Sequence, residues 1–128
     1  MHQLENVLVP VMLGNSIQAP LLARRLWRKY RVVSHVFASR PFWLCHLLHY
    51  VRVVRLPDYM QGELLWCDLR EFAEQYPDLL FCLIPCDQEA RQFCAAHKAE
   101  IEAYYMTVLP EQLAADTLPY LCKEEMPI

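Results

Sequence analysis

Apolar runs rich in β-branched residues recur at residues 7–13, 32–38, 51–56, 79–84 and 104–109, each separated from the next by a segment that can hold a helix. Runs of this kind, apolar throughout instead of alternating, belong to strands covered on both faces. The rhythm predicts strand, helix, strand, helix along the chain.

The first helix begins near Ser16, because Pro20 is tolerated only in a first turn. From there Ile17, Leu21, Leu22, Leu26 and Tyr30 share one stripe, with arginines on the opposite face. A second connection, residues 41–50, is short and crowded with Phe42, Trp43, Leu44, Leu47 and Leu48, which suits a buried helical turn or two. The third helix runs over residues 62–76 with Leu65, Leu69, Phe72 and Tyr76 inward, and Pro77-Asp78 ends it. Asp87 is a good N-cap for a fourth helix that turns Ala90, Phe93, Cys94, His97 and Ile101 toward the core. Trp43, Trp66, Phe72, Phe81 and Phe93 are expected in the core as well.

Together these elements predict an α/β fold: a Rossmann-like three-layer α/β/α arrangement with a mostly parallel sheet of about five strands and right-handed crossovers. Its length of 128 residues fits one domain, placed at residues 1–110, with 111–128 as a C-terminal extension leading out of it. A hydrophobic content of 55% against 21% charged residues excludes a disordered chain. No apolar stretch reaches the roughly 18 residues of a membrane span. Glu5 and Pro10 spoil the first apolar run as a signal peptide, and six cysteines without a CxxC pair suit reduced thiols and a cytoplasmic location.

The net charge of −3 conceals an uneven distribution, with eight Lys/Arg against two Asp/Glu in residues 1–60 and four against thirteen in residues 61–128. Arg24, Arg25, Arg28, Lys29 and Arg31 gather on the first helix and its exit, where they could attract an anion or an acidic partner surface, or simply face solvent. Overall acidity argues against a nucleic-acid partner.

Ligands of open α/β sheets sit outside the carboxyl ends of the strands, which directs attention to Gly14-Asn15-Ser16, Ala38-Ser39-Arg40, Pro57-Asp58 and Pro85-Cys86-Asp87. The first of these loops precedes a helix whose free amides suit a phosphate or carboxylate. It has a single glycine and no acidic residue about 20 positions later, so NAD is not expected, and no GK[ST] exists for a P-loop. Cys86 at a strand end and helix start is a candidate nucleophile with His97 as its only plausible base, though a core histidine is the commoner outcome. Cys45, His46 and His49 have a spacing that could hold a metal on a helix, but packing explains them better.

Several segments resemble one family. Val9-Pro10-Val11-Met12-Leu13-Gly14-Asn15-Ser16-Ile17, then Ala23-Arg24 and Lys29-Tyr30, resemble the opening of the ATP-grasp carboxylate–amine ligases, in particular the D-aspartate ligase-like branch. Cys86-Asp87 is similar to that family's acidic loop, and Leu121-Cys122-Lys123-Glu124-Glu125 to the segment leading into its ATP-binding part. Ser16 and Cys122 stand where that branch commonly has aspartate. The resemblance implies a pre-ATP-grasp domain that forms one wall of a substrate cleft, inactive alone. No cofactor would be held in this chain itself, ATP and Mg²⁺ being bound by ATP-grasp domains of the same polypeptide. Gly14, Asn15 and Ser16 would then contact an anionic group of a small carboxylate or amine substrate, and Asp87 would hold an amine or cap the fourth helix. The alternative expectation is a stand-alone binding or assembly module without catalysis, for which a homodimer is one form.

Overall fold

The computed structural model describes residues 8–56 and 62–114. The Pro57-Asp58 loop, most of the 111–128 extension and the Leu121-to-Glu125 segment lie outside the described residues. In chain order the elements are β1 (Leu8–Leu13), α1 (Gln18–Tyr30), β2 (Ser34–Ala38), a 3₁₀ turn (Trp43–Leu47), β3 (Val51–Arg55), α2 (Gly62–Glu74), β4 (Leu80–Pro85), α3 (Gln88–Ala96), α4 (Lys98–Glu102), β5 (Tyr105–Thr107) and α5 (Pro110–Ala114).

The five strands form one sheet in the order β3-β2-β1-β4-β5, and every pairing is parallel. This is a Rossmann-like α/β fold, with its topological switch between β1 and β4. Pro10, which cannot donate to a ladder, faces Cys82 of β4 in a stretch where β2 has not yet joined; pairing with β2 begins at Val11.

Alternation along β1 divides the core. Leu8 and Met12 pack toward α1, with Leu22, Leu26 and Tyr30. Val11 and Leu13 point to the other face, with Leu65 and Leu69 of α2 and Ala90 and Phe93 of α3. The crossover that moves toward β2 and those that move toward β5 thus lie on opposite faces, as one crossover hand requires. None of the helices among the described residues is long and apolar enough to cross a membrane.

Four expectations need correction. In α1 the buried stripe is Ala19, Leu22, Ala23, Leu26 and Tyr30, whereas Ile17 and Leu21 are about half exposed. Tyr76 is likewise exposed, because α2 stops at Glu74 as the chain approaches Pro77, which disfavours a helical residue before it. Trp43 is 64% exposed rather than core: a 3₁₀ turn directs only about one side chain in three inward, and here that residue is Cys45. The fourth helix is in fact two, broken at His97, whose ring lies half-buried against Phe93 with Nδ1 2.8 Å from Glu100 Oε1. A polar ring gains a carboxylate partner at the rim that the core would deny it. Ile101, beyond the break, is fully buried as expected.

Candidate functional site

The carboxyl ends of β1, β2 and β4 converge. Gly14 donates its amide to Phe37 of β2 at 3.1 Å, and Cys86 donates to Leu13 of β1 at 2.8 Å, so the end of β1 is clamped from both sides. Gly14 has a φ of 143°, and a Cβ there would lie 2.9 Å from Asp87 Oδ2. Only glycine admits both this backbone and this approach.

Beyond it, Asn15 joins three loops. Its amide donates to Asp87 Oδ2 at 3.0 Å, its Nδ2 donates to Ser39 Oγ at 3.3 Å, and its Oδ1 accepts from the Arg40 amide at 3.0 Å. Asp87 uses its other oxygen to cap α3, accepting from the Ala90 amide at 2.8 Å. Ser16 Oγ accepts from the Gln18 amide at 3.0 Å and steadies the first turn of α1.

All four residues picked out from the sequence, Gly14, Asn15, Ser16 and Asp87, therefore meet at the switch point. Of the two roles expected for Asp87, the helix cap is formed, and the second oxygen bridges to Asn15. Ser39 and Arg40 were visible only as a loop at a strand end; Asn15 brings them into the site. Such a long-range contact depends on β2 lying beside β1, for which no local signal exists.

Chemically, the cluster offers polar donors. The amides of Ser16 and Ile17 make no hydrogen bond among the described residues. Arg40, tied to Asn15 through its amide, has an exposed side chain, and Ser39 supplies a hydroxyl. Free amides at the start of a helix of 13 residues suit a carboxylate or similar small anion. The Ala38-Ser39-Arg40 end of β2 carries no acid that could bind a ribose, and no lysine stands in the Gly14 loop to clamp a polyphosphate.

The other candidates separate from this site. Cys86 is 3% exposed, its Sγ lies 3.6 Å from the Ile84 carbonyl, and burial, with the Asp87 carboxylate adding to it, pushes the thiol up to about 12. The helix-start effect does not overcome desolvation, and His97 lies at the far end of α3. Cys45 is buried with its thiol raised by burial, whereas His46 and His49 are exposed, and His49 packs edge-on to Trp27 and Tyr50. No group of three or more His, Cys, Asp or Glu among the described residues could hold a metal ion.

Comparison with protein-family models, curated proteins and solved structures gives no significant match.

Proposed function

We propose that this chain is the substrate-side, N-terminal domain of an ATP-dependent ligase joining a carboxylate, activated as an acyl phosphate, to an amine, and that it is inactive alone. The observation that carries the reading is the Asn15 junction. Loops after three parallel strands are tied together around free amides and Arg40, a setting suited to a single small anionic group and short of what a nucleotide requires. In this reading Ser16, Ile17 and Arg40 receive the substrate's anionic end, Asp87 holds the loop in shape, and the Mg²⁺ ligands and phosphate clamps reside in ATP-grasp domains of the same polypeptide. Those parts would supply the electrostatic stabilisation that acyl-phosphate formation needs.

Thermal-shift and NMR titrations with small carboxylates, amino acids and ATP–Mg²⁺ test it. Weak carboxylate binding that perturbs the Ser16 and Ile17 amides and disappears in Arg40→Ala is expected. A saturable ATP site tighter than about 10 μM, roughly −7 kcal/mol, would overturn the division of labour. A second reading, a non-catalytic binding or assembly module, is favoured by Trp43 and Leu47, both about two-thirds exposed on the 3₁₀ turn. A well-defined homodimer that shields Trp43, seen by fluorescence quenching and sedimentation, would support that reading.

A further inference from the structure

A groove of about 550 Å³ runs between α1 and α5, with Gln18, Leu21, Arg24, Arg25 and Arg28 on one side and Pro110 and Glu111 on the other. Ile17, Leu21, Arg24 and Arg28 follow one another at helical spacing, so they form a single stripe about 16 Å long, apolar at its start and cationic at its end. Ile17 and Leu21 are 48% and 53% exposed. Two large aliphatic side chains left on the outer face of a helix whose other face fills the core call for a partner.

The charge of the groove is also unbalanced. Glu111, its one carboxylate among the described residues, is engaged elsewhere: Arg91 of α3 donates to it through both terminal nitrogens, at 2.6 and 3.2 Å. Arg24 and Arg28 pair with no carboxylate among the described residues. Between Glu5 and Asp58 the chain contains no acid at all, so α1 and the segments on either side of it carry none to offset them.

We propose that the groove between α1 and α5 docks an acidic, amphipathic peptide segment of a partner protein, its apolar residue seated on Leu21, toward the exposed Ile17 just beyond the groove, and its carboxylates on Arg24 and Arg28. Charge complementarity selects the carboxylates and the aliphatic end of the stripe selects the anchor. Nucleic acid is disfavoured, because a long polyanion would meet Glu111 in the wall and a chain of net charge −3. The proposal does not rest on the ligase reading.

Fluorescence anisotropy of the full chain with a labelled helical peptide carrying glutamates and two leucines on one face provides the test. Saturable binding is expected at low salt. It should fall at least about tenfold in Arg24→Glu/Arg28→Glu and severalfold in Leu21→Ser, both exposed positions whose circular dichroism should stay unchanged. Raising salt until the screening length drops below about 10 Å should weaken binding without abolishing it. Three results would each overturn the proposal: equal affinity for a leucine-free acidic peptide or for oligo-dT, affinity unaltered by the double charge reversal, or a groove buried in a self-associated dimer that Arg24→Glu dissociates.

Discussion

Asp87 reaches back 72 positions along the chain to accept the amide of Asn15 at 3.0 Å, while its second oxygen caps α3 at Ala90. One carboxylate thus joins the loop after β1 to the helix after β4, across the point where the strand order reverses. Its role is to hold the crevice in register. Asp87→Ala should remove a helix cap worth about 1 kcal/mol and leave the Asn15 amide with an additional loss of about 1–2 kcal/mol. Asp87→Asn keeps one acceptor oxygen and should lose roughly half as much. Urea midpoints of the two variants measure this, and equal stability of Asp87→Ala and wild type would show that water replaces the carboxylate without cost.

Gly14→Ala acts at the same place from the other side. A β-carbon meets Asp87 Oδ2 at 2.9 Å on a backbone with φ 143°, and Asp87 cannot move aside without releasing Asn15 or Ala90. The variant should lose about 1–3 kcal/mol and show altered amide signals at both Asn15 and Ala90. A denaturation curve overlying that of wild type would refute the close approach.

Much of this fold was legible because its strands are buried on both sides. Residues 81–85 of β4 are buried without interruption, and such a segment appears in the sequence as an unbroken apolar run. The Asp87 cap was legible for a local reason, since its carboxylate serves an amide three residues on. What was hidden depends on contacts distant in the chain. Arg40 belongs to the site only because Asn15 accepts its amide, and Ile17 and Leu21 seemed core residues because hydropathy cannot tell which side of a helix meets the sheet. The break at His97 carries no glycine or proline to announce it.

Buried thiols should make the chain sensitive to alkali and resistant to alkylation. Burial pushes Cys82 and Cys86 up to about 12 and Cys94 up to about 11, whereas unfolded thiols ionise near about 8.5. Below the unfolded value both states keep their protons and the full stability is present. As pH rises from about 9 to 11 the unfolded state alone releases them, so stability falls, by at most about 1.4 kcal/mol per pH unit for each thiol. Denaturant midpoints at pH 8 and pH 10 should reveal the decline, which Cys94→Ala should lessen. At pH 8, iodoacetamide should modify the half-buried Cys67 well before Cys82, Cys86 or Cys94. Labelling of Cys86 at the rate of Cys67 would reinstate it as a candidate nucleophile.

His35 governs the opposite end of the pH range. It lies on β2 opposite Arg52 of β3, with its ring 5.0 Å from that of Phe72 on α2, and its Nδ1 is buried without a hydrogen-bond partner among the described residues. Burial, assisted by the Arg52 guanidinium, lowers its pKa below the usual 6.5. The folded state therefore favours the neutral ring. Above the unfolded value neither state is protonated and the stability is complete; as pH falls through 6.5 the unfolded chain takes up a proton first, and stability is lost until the folded pKa is passed. For one such group the slope cannot exceed about 1.4 kcal/mol per pH unit. His35→Phe keeps the ring against Phe72, removes the unpartnered nitrogen and has no proton to bind. It should be as stable as wild type or slightly more so at pH 7, and its stability should fall less between pH 7 and pH 5. Guanidinium denaturation of both proteins at these two values decides the matter: parallel losses would mean that His35 titrates in the fold as it does in the unfolded chain, and that another group sets the acid limb.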